Sequence, residues 1–295
     1  MIIDSHCHVG EFQHYSKNLL RLMTSGHRPP PWWAPEREWQ QEFLATDIDR
    51  LLGHMEEFHI DKAVIFGLSI KAYGSHVPLE YVAGLVQKHP DQLVGFHSVD
   101  PIGGEDAANE AERAIKNYGL KGIKLHHAAN AVALDDPRTL PVYEKVAELG
   151  VPVVLHTGFT RVPPVDFAGQ RATALNKVAA RYPSLVIVLA HCGWPWLEDA
   201  LAMLLRYPNV YGDLAQLASF TTQDDLARFI LSAKRLKLLD KLFWGTDYPF
   251  FNPHSDIRAI RNLVEYTKTI GLEPAITEGD VAGLLGGNVA RLLNI

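Results

Sequence analysis

Eight short apolar runs, each followed by a stretch with helical spacing, recur along the whole length of this chain. They cover Met1–His6, Lys62–Leu68, Leu93–Ser98, Gly122–His126, Pro152–His156, Leu185–Ala190, Val210–Asp213 and Leu242–Gly245. Several are apolar without a break, such as Ala63-Val64-Ile65-Phe66 and Val186-Ile187-Val188-Leu189. A strand with one wet face alternates, whereas an unbroken run suits a parallel strand covered on both faces. The stretches between them predict helices. Thr46 caps Asp47–Phe58, Gly150 ends Pro137–Leu149, and prolines follow Arg171–Tyr182 and Trp196–Tyr207. Pro78–Lys88, Asp106–Tyr118, Asp224–Leu236 and Ser255–Ile270 complete the set.

Eight strand–helix repeats predict an α/β fold, the (β/α)8 TIM barrel, which needs about 250 residues plus insertions. The competing open, doubly wound sheet would carry a glycine-rich phosphate turn after its first strand, and none is present. Residues 1–295 therefore read as one barrel domain, with Thr277–Ile295 adding small C-terminal helices. One connection departs from the pattern. Residues 9–45 lack clear periodicity and contain Pro29-Pro30-Pro31-Trp32-Trp33-Ala34-Pro35. Long irregular loops in compact domains are usually functional, and this one would rise from the catalytic end of the barrel. It is expected either to cover the mouth as a lid or to pack on the rim or in a subunit contact.

A formal net charge of -6 argues against a broad nucleic-acid surface, and no apolar run is long enough to span a bilayer. The N-terminus shows neither a basic segment nor a long apolar one, and there are only two cysteines. A reduced, cytoplasmic setting is expected, with a homodimer left open.

In a barrel, catalytic side chains come from the C-terminal ends of several strands. The polar residues ending the apolar runs are His6, Cys7 and His8, then Lys124 and His126, His156, His191, and Asp247. His6 and His8 share one strand face, because side chains alternate, while Cys7 points away. Three histidine nitrogens and one carboxylate oxygen suit zinc, manganese or iron and leave room for a water. Any one of the 14 histidines could be an ordinary packed imidazole. Gathering several of them with a carboxylate, and no cation, would be costly. Cys7 and Cys192 read as small core residues.

These residues carry a resemblance. Asp4-Ser5-His6-Cys7-His8, Gly122-Ile123-Lys124-Leu125-His126, Val154-Leu155-His156-Thr157-Gly158, Ala190-His191-Cys192-Gly193 and Trp244-Gly245-Thr246-Asp247-Tyr248-Pro249 resemble the motifs of the amidohydrolase superfamily, in its amidohydrolase-related branch. Gly287-Asn288-Val289-Ala290-Arg291-Leu292-Leu293 is similar to that branch's closing signature. The resemblance implies one divalent metal, zinc first with manganese or iron as alternatives, held by His6, His8, His156 and Asp247. It places His191 beside the metal as acid/base or substrate polariser, with Asp247 also handling a proton. A two-metal site bridged by a carboxylated Lys124 is the alternative.

Three readings stay open at this point. The first is hydrolysis of a C–O or C–N bond in a small anionic lactone, ester or amide by metal-activated water. The second is non-oxidative decarboxylation, or hydration, of an aromatic or unsaturated carboxylic acid. His191-Cys192-Gly193-Trp194-Pro195-Trp196 is more similar to the branch's hydrolases than to its decarboxylases. The third is a barrel that binds a metabolite without catalysis. Lys124, His126 and Arg161 are candidates for holding an anionic substrate, and Trp32 and Trp33 for its flat or apolar part.

Overall fold

The computed structural model of the chain describes residues 1–19, 48–160, 166–250 and 253–295. Eight parallel strands form one sheet in sequential order: β1 (Ile3–His8), β2 (Lys62–Phe66), β3 (Leu93–Ser98), β4 (Gly122–Leu125), β5 (Val153–His156), β6 (Ile187–Ala190), β7 (Val210–Asp213) and β8 (Leu242–Phe243). The sheet curls back on itself beyond β8. The Ser5 N–H donates to Trp244 O at 3.2 Å, Asp247 N–H to His6 O at 2.8 Å, and His8 N–H to Tyr248 O at 2.8 Å. Crossing helices are α1 (Ile48–Glu57), α2 (Leu79–Lys88), α3 (Gly104–Lys116), α4 (Leu140–Leu149), α5 (Asn176–Arg181), α6 (Leu197–Arg206), α7 (Gln223–Arg235) and α8 (Pro253–Thr269). This is the TIM barrel that the apolar runs predict.

The apolar residues divide into two layers, as the unbroken runs require. Val64, Phe66, Val94, Phe96, Val154, Val188 and Phe243 fill the barrel interior, while Ala63, Ile65, Leu93, Val153, Leu155, Ile187 and Leu189 face the helices. The Asn288–Leu293 helix closes the N-terminal end, with Val289 and Ala290 packed against the interior set. Gly286 lies so close to β1 that an added Cβ would sit 2.5 Å from Met1 O. On these points the C-terminal expectation agrees with the structure.

Two differences concern the site. The first strand runs on to His8, two residues past the predicted end, and carries a bulge. Asp4 pairs with Ala63 but Cys7 with Ile65, so β1 spends one residue more than β2 over the same stretch. The bulge shifts the inside–outside phase, which lets Ile3 face the interior although His6 and His8 do too. Strict alternation would have sent one set outward. Helix α5 is also shorter than the predicted Arg171–Tyr182, because Ala172–Leu175 runs as a 3-10 turn. Ala172 and Leu175, three residues apart, are both buried, and three-residue spacing aligns side chains on a 3-10 turn.

The residues following β1 begin as packed structure. Val9, Tyr15 and Leu19 are buried in the outer core, with a 3-10 turn at Phe12–His14. The rest of the proposed lid, together with Trp32, Trp33 and the Thr46 cap, lies outside the described residues, as does Arg161.

Behind the site, His127 is fully buried, with its Nε2 3.2 Å from the Tyr143 hydroxyl and 3.3 Å from that of Thr139. Burial pushes its pKa down to about 3 from the ordinary 6.5. On unfolding the ring regains the ordinary value, so the unfolded chain binds the proton first as pH falls. The stabilisation is whole above pH 6.5 and is lost between there and about 3. His127→Gln is expected to flatten the acid limb of the melting-temperature profile in that window. A limb of unchanged slope would remove His127 from the account of acid lability.

Candidate active site

The C-terminal ends of the strands bring His6, His8, Lys124, His126, His156, His191 and Asp247 to one barrel mouth, although they are spread over most of the sequence. The tightest group is His6, His8 and Asp247. Their Nε2 atoms lie 3.1 and 3.0 Å from the same oxygen, Asp247 Oδ1. His6 is fully buried, with Asp247 at 3% and His8 at 5% exposure. Phe66 supports the group from below, its ring centroid 4.7 Å from that of His6 and 4.9 Å from that of His8.

Contacts between β1 and the chain beyond β8 explain why Asp247 arrives there. Asp4 accepts from the Thr246 N–H at 2.9 Å and the Thr246 hydroxyl at 2.6 Å, tying the chain beyond β8 to β1. Gly245 passes so close to His6 that a Cβ would lie 2.8 Å from His6 Cβ. Asp247 then takes a left-handed conformation, φ 63°. His191 (φ 61°), Cys192 (φ 44°) and Gln216 (φ 69°) do the same around the mouth. Each such residue costs on the order of 1–3 kcal/mol, and strain of this kind gathers where geometry is imposed for a purpose. The loops after β5 and β6 are also laced together. The Phe159 N–H donates to Trp194 O at 2.7 Å, and Gly158 (φ 82°) leaves no room for a Cβ against the Gly193–Trp194 backbone.

Burial and charge oppose one another here. Burial alone would raise the Asp247 carboxyl, but His6 and His8 outweigh it and hold its pKa well below the ordinary range. His8 is pushed down to about 4 by burial, against the pull of Asp247. Burial likewise lowers His191 to about 4 and Lys124 to about 8. His6 is the exception: burial and Lys124 lower it, yet Asp213 and Asp247 prevail and its pKa is raised. The Lys124 ammonium sits 3.3 Å from His6 Nε2 and 4.7 Å from the centre of the Phe66 ring.

The donor set fits a divalent cation. His6 Nδ1 lies 2.8 Å from Asp213 Oδ2, and an ionised carboxylate only accepts, so Nδ1 carries a proton and a cation can take the Nε2 lone pair in place of the second proton that the raised pKa favours. That lone pair, the nearby His8 Nε2 and an anionic oxygen all converge on one point, an arrangement that a cation stabilises. Mixed imidazole and carboxylate ligands suit zinc, manganese and iron.

His156 stands differently from this group. Its ring stacks on His126 at 4.1 Å between centroids and lies 4.9 Å from His191, but its Nε2–H donates to Phe159 O at 3.2 Å. His126 is turned to the backbone as well, its Nδ1 accepting from the Ala129 N–H at 3.1 Å. Both rings are held neutral by burial, with the neighbouring positive charge of Lys124 acting in the same sense. Cys7 and Cys192 are buried in the outer core, as expected.

Two residues escaped the sequence. Asp213, 1% exposed, accepts from His6 through Oδ2 and from the His191 N–H through Oδ1 at 2.7 Å. It ends the seventh apolar run, so the rule that singled out the other strand ends applies to it equally. Gln216 donates from Nε2 to Asp247 Oδ2. Nothing in its local sequence distinguishes it.

A 2-amino-3-carboxymuconate-6-semialdehyde decarboxylase from Dictyostelium discoideum is 25% identical over 249 residues, covering 73% of this chain. The match spans 65% of that relative, just under two thirds of its length. A 5-carboxyvanillate decarboxylase from Novosphingobium aromaticivorans, solved with manganese and 4-hydroxy-3-methoxy-5-nitrobenzoic acid, has the same fold at TM-score 0.71 and 17% identity, covering 100% of this chain and 96% of that one. A probable 2-pyrone-4,6-dicarboxylic acid hydrolase from Acinetobacter baumannii, solved with citric acid, matches at TM-score 0.65 and 18% identity, covering 100% and 99%. The amidohydrolase family model matches residues 3–295. The chain belongs to the amidohydrolase family.

Proposed function

We propose that this enzyme decarboxylates a small aromatic or unsaturated carboxylic acid with the help of one divalent ion. His6, His8 and Asp247 would hold the ion, and His156, whose Nε2–H donates to Phe159 O, would join them through Nδ1. Manganese, present in the carboxyvanillate enzyme, and zinc are the ions of first choice. The observation that carries the reading is the buried Lys124 ammonium beside the imidazole–carboxylate group, a positive charge placed where an anionic substrate would meet it. Decarboxylation is set ahead of the hydrolysis that the motifs put first because the Dictyostelium and Novosphingobium proteins are both decarboxylases.

A divalent ion at this site supplies Lewis acidity to the oxygen atoms of the substrate. The chain's own residues account for the rest. Lys124 is fully buried, so its attraction for a carboxylate is far less screened than in water. When carbon dioxide leaves, the electron pair of the broken bond stays on the substrate carbon, which must then take a proton. His191 donates from Nδ1 to Ala215 O at 3.2 Å, which leaves the Nε2 lone pair as the place where a proton taken up from solvent can be held and passed to that carbon. The half-buried His126 ring, backed by His156 stacked on it, offers a flat surface to a planar substrate.

Hydrolysis remains the second reading, favoured by His191-Cys192-Gly193-Trp194-Pro195-Trp196. Under it, Asp247 would accept the proton of the attacking water. Metal-loaded protein offered carboxyl-labelled aromatic and unsaturated acids beside lactones, esters and amides distinguishes the two. Labelled carbon dioxide is the expected product. Hydrolysis without carbon dioxide release would replace decarboxylation, and turnover of neither class would leave a binding barrel.

A further inference from the structure

We infer that Asp213 is a positioning residue that sets the tautomer of His6 and the placement of His191, so that one carboxylate behind the mouth prepares both ion binding and proton transfer. This rests on the metal-dependent reading above. The geometry is specific. Asp213 Oδ2 accepts a hydrogen bond from His6 Nδ1–H at 2.8 Å, which turns the Nε2 lone pair toward Asp247 Oδ1. Asp213 Oδ1 takes two backbone protons, from His191 at 2.7 Å and Ala215 at 3.1 Å. The Ala215 carbonyl in turn accepts from His191 Nδ1 at 3.2 Å. His191 is thereby held at both ends, by its own N–H and by its ring, and its Nε2 is the nitrogen left over. The Asp213 carboxylate also anchors the left-handed turn at His191 and Cys192, where the strand gives way to the loop.

His6, His191 and Asp213 offer ligand atoms within 4.8 Å of one another, so a second cation site has to be weighed. The protons decide against it. Both Nδ1 atoms that face Asp213 already donate, to Asp213 itself and to Ala215, and Oδ1 already accepts two N–H groups. A donor-lined pocket repels a cation, and Asp213 belongs behind the first layer of ligands.

Asp213→Asn separates the two tasks. Its amide oxygen can still accept from the His191 N–H, while its NH2 must face His6 Nδ1 and donate to it. His6 is then forced to carry its proton on Nε2, where it blocks the ion. Competition with a chromogenic chelator is expected to show Zn2+ affinity lower by about 10- to 100-fold, with the melting temperature of the metal-free protein close to wild type. Asp213→Ala removes the His191 support as well, and its turnover should stay depressed even at saturating Zn2+. Nitrogen NMR of the Zn2+-loaded wild type, with histidine resonances assigned by substitution, should show His6 protonated on Nδ1. Unchanged Zn2+ affinity in a folded Asp213→Asn protein, or a wild-type His6 with bare Nδ1, would overturn the inference. Should Asp213→Asn not fold, the wild-type spectrum decides alone. Failure of the decarboxylase reading would show separately, as absent carbon dioxide release with the affinity and tautomer results intact.

Discussion

His191→Asn is expected to keep its bound metal and to lose about 10²–10⁴-fold in turnover, the usual worth of a positioned acid/base group. The substitution is mild for the fold. Asparagine tolerates the left-handed conformation that His191 occupies at φ 61° better than most residues. Its backbone N–H still donates to Asp213 Oδ1, and its amide can still donate toward Ala215 O. The lost function is the ring nitrogen able to carry a proton to the substrate. Metal analysis alongside steady-state kinetics checks both halves, and unchanged turnover would remove His191 from the chemistry.

Asp247→Asn should act at an earlier step, on the ion itself. Asp247 Oδ1 is the one anionic atom on which His6 and His8 converge, and its other oxygen already receives the Gln216 amide. An asparagine keeps the shape and tolerates φ 63°, but it removes the charge and sets an amide proton against either the imidazoles or Gln216. Loss of outer-layer partners costs about 10- to 100-fold in metal affinity, so loss of this inner oxygen is expected to cost at least about 100-fold. Turnover at trace metal should vanish and return only in part with excess ion. Full activity without added metal would contradict the place given to Asp247.

The contrast between the two variants separates ion binding from proton transfer. Eight apolar runs and their order were enough for the barrel, because a parallel strand covered on both faces leaves an unbroken hydrophobic trace. His6, His8, His191 and Asp247 were readable because each follows such a run and so points to the mouth. Asp213 satisfied the same rule and was passed over, since a single aspartate after Val210-Tyr211-Gly212 has no histidine beside it to draw notice. Its role depends on pairing with His6, 207 residues away. Gln216 had no signal at all: its work depends on a left-handed backbone that no short motif announces.

The bulge in β1 marks a different limit. Strict period-two reasoning puts His6 and His8 on one face, which is correct, but it also puts Ile3 on the opposite face. The extra residue between Asp4 and Cys7 lets an apolar side chain fill the barrel while the imidazoles reach the site above it. Pairing register belongs to two strands, and β2 is far away in sequence. His156 shows a third limit. Its strand and level were legible, but the direction of its ring depends on the Phe159 carbonyl in the following loop.

The most direct test of the account is a metal titration of the metal-free wild type, followed by labelled carbon dioxide release from a carboxylated aromatic acid that the substrate screen identifies. No release is expected without metal, and with added Mn2+ or Zn2+ a linear rise that ends at one ion per chain. Release that persists without metal, or a rise that continues to two ions per chain, would contradict a single-ion decarboxylase built on His6, His8 and Asp247.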